Sequence, residues 1–234
     1  QSDFAGPLDF SIGALALDYD LRQRIYIYSN AFTYAALAAN GGANWDSIAT
    51  AIGNLTFRNN EIFSWNKTGM IHSTDLGSTW NSIPSTGIPA DYLSKVAGIA
   101  VNGNTIYAAF HGTRSRDHLP AVWEQGGVYR STNNGASWQA LNSGITHDGG
   151  VPAPASEIHT SGSTVVFRSI EGLYTLTNSS WQKVNNNIPS PVYFSSINLA
   201  NDSIVIGSSL GLLVSTNNGA SWVVIKDGLQ STGV

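Results

Sequence analysis

The 234 residues carry a net charge of −4 with only 11 Lys plus Arg, so no basic surface can neutralise a phosphate backbone, and nucleic acid is a poor partner. Seven Trp, nine Tyr and eight Phe in a 42% hydrophobic chain supply a core and argue against disorder, although charged residues reach only 11%. The absence of cysteine removes disulfides, thiolate metal sites and Cys nucleophiles together, and no apolar run approaches the ~18 residues of a membrane span.

In chain order, Arg24–Tyr28 predicts the first clear strand, and Ala38–Trp45 then reads AANGGANW. A strand at Glu61–Trp65 precedes Ser73–Trp80, which reads STDLGSTW. Strands at Val96–Val101, Asn104–Ala108 and Gly127–Arg130 lead to STNNGASW at Ser131–Trp138, followed by a short strand at Gln139–Leu141. Ser163–Phe167 and Gly172–Tyr174 lead to a shortened copy, TLTNSSW, at Thr175–Trp181, with Gln182–Val184 after it. Finally Ser195–Leu199, Asp202–Ile206 and Gly211–Val214 lead to a second STNNGASW at Ser215–Trp222 and to Val223–Ile225.

Each unit therefore holds four short strands joined by turns. Successive tryptophans, Trp45, Trp80, Trp138, Trp181 and Trp222, lie 35, 58, 43 and 41 residues apart. A period near 40 with four strands per unit predicts propeller blades, because a lone four-stranded sheet buries neither face whereas radially arranged sheets bury both. The expected fold is an all-β, five-bladed β-propeller spanning 1–234, with blades near 11–50, 51–90, 91–145, 153–189 and 190–229. Residues 1–10 are expected to add an outer strand that latches the ring.

The octapeptides resemble the Asp-box (BNR repeat) pattern Ser/Thr-x-Asp-x-Gly-x-Thr/Ser-Trp, found in sialidases, sortilin-type receptors, xyloglucan-degrading hydrolases and photosystem assembly factors. The resemblance runs through all five repeats and implies that each box is the hairpin between the third and fourth strands of a blade. Asn40, Asp75, Asn133 and Asn217 then bond nearby backbone N–H groups, while Gly42, Gly77, Gly135 and Gly219 accept positive φ. Trp45, Trp80, Trp138, Trp181 and Trp222 supply apolar packing surface. Three Asn at the Asp75 position mark these residues as scaffold, not as a carboxylate site.

Antiparallel strands divide the connections between two ends, and the loops between second and third strands share one end with the blade-to-blade linkers. Function is expected on that end, since loops on a rigid scaffold carry most sites. The longest such loop, His111–Gln125, is the most charged stretch of the chain and holds His111, Arg114, Arg116, Asp117, His118, Trp123 and Glu124. The linker 145–155 adds His147 and Asp148, and Tyr92, Arg168, Glu171 and Tyr193 complete the candidate ligand-binding set. Exposed Tyr, Trp and Arg most often dominate recognition.

A sialidase would need three converging arginines, a Tyr nucleophile, an Asp acid/base and six blades; only Arg114, Arg116 and Arg168 fall on the expected face. A generic glycosidase needs two carboxylates, which Asp117, Glu124, Asp148, Glu157 and Glu171 could supply. His111 and His118 lack zinc-site spacing, so no metal and no cofactor is expected. The expected role is a non-catalytic module binding a protein or glycan, with a glycoside hydrolase using insertion carboxylates as the alternative. Low charge and a start at Gln1 suggest a secreted, periplasmic or cell-surface protein, alone or as part of a larger surface protein or assembly. Asn-x-Ser/Thr triplets at Asn54, Asn66 and Asn178 fit the N-glycosylation pattern.

Overall fold

Short β-branched and aromatic runs punctuated by Asn, Gly and Ser fold as consecutive hairpins. The computed structural model places them in five four-stranded antiparallel sheets and one two-stranded ribbon. It describes residues 14–18, 24–29, 34–38, 46–50, 53–114, 123–124, 126–145, 152–169, 171–184, 188, 194–200 and 203–226; the first four stretches, 113–114 and 123–124 are described as backbone strands only.

The chain divides into two compact units, Gln1–Ser82 and Ile83–Val234. The first holds two sheets: β1 (Ala14–Asp18), β2 (Arg24–Ser29), β3 (Tyr34–Ala38) and β4 (Asp46–Thr50); then β5 (Thr56–Arg58), β6 (Glu61–Asn66), β7 (Gly69–Ser73) and β8 (Asn81–Ser82). In the second of these sheets Ile62 is buried among Leu55, Phe57, Leu76 and Trp80.

The second unit holds three sheets. One contains β9 (Val96–Asn102), β10 (Thr105–Phe110), β13 (Gly127–Ser131) and β14 (Gln139–Ala140), with the ribbon β11 (Thr113–Arg114) and β12 (Trp123–Glu124) inserted between β10 and β13. The next contains β15 (Ala155–Ser161), β16 (Thr164–Ser169), β17 (Gly172–Thr177) and β18 (Ser180–Lys183). The last contains β19 (Phe194–Ala200), β20 (Ser203–Ser208), β21 (Gly211–Ser215) and β22 (Val223–Ile225). The first strand of the middle sheet, β15, packs against both β9 and β19. Alternation along β10 and β16 sends Tyr107, Ala109, Val165 and Phe167 into one shared core with Val128, Tyr174 and Trp181. Val166 and Leu173, on the other face of that sheet, join Ile197, Ile204, Ile206 and Leu213.

The octapeptide turns show why Asp and Asn are interchangeable here. In Ser73–Trp80 one carboxylate oxygen of Asp75 accepts the Thr79 N–H at 2.8 Å and the other accepts the Thr79 hydroxyl at 2.6 Å. The Thr79 hydroxyl and N–H, with the Ser73 hydroxyl, hold the Asp75 pKa down to about 2. In Ser131–Trp138 the Oδ1 of Asn133 accepts the Ser137 N–H at 3.0 Å, and its Nδ2 donates to the Ser137 hydroxyl at 2.9 Å. The second hydrogen bond reverses direction and the turn survives; Asn217 repeats this geometry with Ser221. Asn134 and Gly135 both have positive φ, at 56° and 83°, a backbone that Asn and Gly tolerate best. The shortened copy is a different turn. Asn178 and Ser179 both have positive φ and form the two-residue tip between β17 and β18, which resembles a type I′ hairpin and still places Trp181 after the outer strand begins.

A single junction recurs between successive units of the repeat. The Trp138 indole N–H donates to the Pro84 carbonyl at 2.8 Å, and its backbone N–H donates to Thr86 at 2.8 Å. Trp181 does the same to Leu141 at 2.7 Å and to Ser143 at 2.8 Å, and the Trp222 indole donates to Val184 at 2.7 Å. At Gly144, φ is +88° and a Cβ would collide with the Trp181 carbonyl, so only glycine lets the linker lie this close. Ile83 and Val184 rest against the turn glycines Gly135 and Gly219 of the following sheet.

The outer strands differ in one respect. Asn81, Ser82, Gln139, Ala140, Gln182 and Lys183 are exposed, but the same positions of the last sheet carry Val223, Val224 and Ile225, exposed by 64%, 36% and 44%.

Candidate functional site

Antiparallel pairing puts the starts of β9, β15 and β19 at the same end of their sheets as the β10–β13, β16–β17 and β20–β21 loops. At that end each of the three sheets has a one-residue bulge in its first strand, at Ala97, Ser156 and Ser195. Such bulges bend a strand and re-aim its side chains, and they recur beside functional sites. The cross-strand pair that follows each bulge is Gly98 with Ala109, Glu157 with Arg168, and Ser196 with Gly207. Two of these pairs are small. The middle one is charged.

Around the middle pair the geometry is specific. Arg168 Nε lies 2.5 Å from Glu157 Oε1, a charge contact between two buried atoms that lack hydrogen-bond alignment. Arg168 Nη1 donates to the Phe194 carbonyl at 2.9 Å, tying the middle sheet to the last. The His159 ring, two residues along and on the same face of β15, approaches Glu157 Oε2 at 3.2 Å. Burial pushes the Glu157 carboxyl up, but the His159 hydrogen bond and the charges of His159 and Arg168 outweigh it and hold the group below its ordinary value. Side-chain exposure rises from 18% at Glu157 through 28% at Arg168 to 36% at His159, so the cluster opens outward at the imidazole. Gly98 and Gly207 permit close packing on the flanking strands: a Cβ at Gly98 would press on Ile158 and Glu157, and one at Gly207 would meet the Ser195 and Ser196 hydroxyls.

Glu171 stands beside this cluster in the chain but faces its own sheet. Its carboxylate accepts the Tyr174 hydroxyl at 3.3 Å, and burial together with the Glu171 charge pushes the Tyr174 pKa up to about 12. Tyr92 is half-buried and packs edge-on against Phe110 and Tyr129, with Lys95 over its ring, so most of its surface serves packing. His111 is exposed, and its backbone N–H donates to the Lys95 carbonyl at 2.8 Å. Arg114 pairs with Trp123, and Thr113 with Glu124, in the backbone ribbon of the insertion. Arg116, Asp117, His118, His147, Asp148 and Tyr193 lie outside the described residues, as do Asn40, Gly42 and Trp45. Among the described residues no group of three His, Asp or Glu is placed to hold a metal ion, and no helix is long and apolar enough to cross a membrane.

Of the expected site residues, the structure thus brings Arg168 together with Glu157, which sequence reasoning weighed only as a scattered acid. His159 was missed. Its one signal is the spacing of two from Glu157, which puts both on one face of a strand. The first serine of each turn was also missed: Ser73, Ser131 and Ser215 are buried, and each hydroxyl accepts the N–H of the turn glycine at 2.8 Å.

No protein-family model matches the chain, and no curated protein sequence matches it. Solved structures do. An ancestral GH74 enzyme superposes with a TM-score of 0.64 at 18% identity, over 94% of this chain and 32% of that one. YCF48 from Cyanidioschyzon merolae superposes with a TM-score of 0.58 at 17% identity, over 91% of this chain and 69% of that one. A chain of a nidogen/laminin complex gives 0.60 at 12% identity, over 89% of this chain and 76% of that one. These are β-propeller proteins, and at such identities the likeness establishes the fold alone: an all-β chain of propeller-type, four-stranded antiparallel sheets. The chain spans 32% of the GH74 enzyme's length.

Proposed function

We propose that this chain is an extracytoplasmic binding module of the Asp-box type, a single five-bladed propeller that presents one face to a protein or glycan ligand without chemical turnover. The carrying observation is the charged Glu157–His159–Arg168 cluster at a register position that holds small residues in both neighbouring sheets. A ligand read by equivalent sites would need the same polar residues in every sheet; a single departure among the three sheets compared suits one asymmetric site.

Neither Glu157 nor Glu171 is suited to be the acid of a glycosidase. A glycosidase acid needs a raised pKa so that it is protonated before it gives up its proton. Glu157 is shifted the other way, and Glu171 is engaged by Tyr174. The structural relatives span both roles, an enzyme on one side and a member of a protein complex on the other. The alternative, a glycoside hydrolase using insertion carboxylates such as Asp117 and Glu124, draws support from the ribbon, which gives Glu124 a regular backbone from which to act.

The reading includes closure of the five sheets into one ring. Support comes from the recurring junction: Ile225 holds the place that Val184 and Ile83 hold before their following turns, and it is exposed. The octapeptide 38–45 offers the Gly42 and Trp45 that such a junction uses. The extracytoplasmic assignment is supported by the charge content of 11%. Binding to arrayed glycans and to candidate protein ligands, compared between the native chain and Glu157→Gln and Arg168→Lys, tests the site. Equal binding by all three proteins would remove the cluster from the reading.

A further inference from the structure

We propose that Asn66 is an N-glycan acceptor, and that it is distinguished from Asn54 and Asn178 by its local backbone geometry. The inference rests on the reading of the chain as an exported protein.

Asn66, Lys67 and Thr68 form the tip of the β6–β7 hairpin, where Asn66 pairs with Gly69. Asn66 Oδ1 accepts the Thr68 N–H at 2.8 Å and the Thr68 hydroxyl at 2.6 Å. Both hydrogen bonds hold the carboxamide by its oxygen and fix its orientation. They leave Nδ2, the atom that is glycosylated, as the uncommitted end of the amide. Lys67 and Thr68 are exposed, so the tip is open to an incoming enzyme.

Neither Asn54 nor Asn178 has this arrangement. Ser180 directs its hydroxyl away from Asn178, to the Ser143 carbonyl at 3.5 Å, and Asn178 has a left-handed φ of 50°. Thr56 sits in β5 opposite Phe63, inside the paired part of the β5–β6 hairpin and not at its tip. The Asn66 turn needs only contacts between residues i and i+2, which side chains of this type form without tertiary support. It is therefore available on a nascent chain as well as on the folded one. A plain turn-stabilising role for Asn66 would use the same Oδ1 contact to the Thr68 N–H, so the hydroxyl contact and the fate of Nδ2 separate the two roles.

In the reaction, Nδ2 attacks the anomeric carbon of a lipid-diphosphate-linked oligosaccharide. The carbon–oxygen bond to the diphosphate breaks, the lipid diphosphate leaves with the bonding pair, and one Nδ2 proton passes to a base of the transferase. An N-glycosidic bond on Asn66 results.

The test is expression of the full chain behind a secretory leader in a glycosylating eukaryotic host, with site occupancy read by mass spectrometry in both the microsomal fraction and the medium. The expected result is Asn66 carrying the glycan. The gel shift should then be lost in Asn66→Gln and in Thr68→Ala, kept in Thr68→Ser, and unaffected by Asn54→Gln or Asn178→Gln. An unmodified Asn66, or glycan found only at Asn54, Asn178 or Asn201, overturns the proposal. So does modification that survives Thr68→Ala. Because the leader imposes the compartment, such failures count against the acceptor geometry and leave the export reading to be judged by localisation of the native chain.

Discussion

Replacing Trp181 with Phe keeps an aromatic ring in the core but removes one N–H. The indole donates to the Leu141 carbonyl at 2.7 Å in a buried setting, and the side chain is 1% exposed. Leaving a buried carbonyl without its donor costs about 1–3 kcal/mol. The smaller ring also leaves a void, which adds about 1 kcal/mol. The edge-on contact with Phe167, at 4.6 Å between ring centroids, is preserved in kind but loosened. The expected loss is therefore about 2–4 kcal/mol, since the two terms act on one site. Urea unfolding followed by far-UV circular dichroism measures it, with a lowered midpoint at an unchanged slope. Trp80→Phe is the comparison, because the Trp80 indole N–H donates to the Gly77 carbonyl of its own turn at 3.1 Å and the side chain is only partly buried. If Trp181→Phe cost no more than Trp80→Phe, the junction between sheets would not be the source of stability argued here.

The remaining predictions follow from the same contacts. Gly144→Ala should destabilise by more than the ~1 kcal/mol of an ordinary glycine replacement, because positive φ and a collision with the Trp181 carbonyl act together; a thermal melt checks it. Asn133→Asp should leave the melting temperature nearly unchanged, while Asn133→Ala loses three side-chain hydrogen bonds of the turn at a cost of about 1 kcal/mol or more. Glu157 sits below its ordinary value of 4.5, so its contribution is complete above that value and fades as pH falls through its folded pKa. Melts between about pH 3 and pH 6 should show a shallower acid limb for Glu157→Gln than for the native protein. If the ring closes, Trp45→Ala should destabilise as strongly as Trp222→Ala, and a much smaller effect would argue for an open array.

Much of the scaffold could be read from residues because its determinants are local. Strands such as Thr105–Phe110 announce themselves by alternation between turns, and the STNNGASW strings carry the Asn, Gly and Trp that their geometry uses. Even the shortened copy at Thr175–Trp181 was locatable, although its change to a two-residue tip shows only in the paired φ angles of Asn178 and Ser179. The candidate site was legible only in part. Arg168 could be placed near the β16–β17 loop from topology, but its partner depends on the bulge at Ser156, which aligns Glu157 opposite it. A bulge has no reliable residue signature when it falls on Ala97 in one sheet and on Ser156 and Ser195 in the others. The Trp-to-carbonyl junctions were hidden for the same reason: they join residues 38 to 54 positions apart through backbone atoms that every residue possesses.

The central claim, binding without turnover, is tested most directly by one paired assay. The purified protein is screened for ligand binding and for hydrolysis on the same panel of glycans and protein ligands, beside Glu157→Gln and the double variant Asp117→Ala/Glu124→Ala. The account predicts binding with no product formed, weakened at least severalfold in Glu157→Gln and largely retained in the double variant. Product formation by the native protein that disappears in the double variant would contradict it and assign the chain to the glycoside hydrolases.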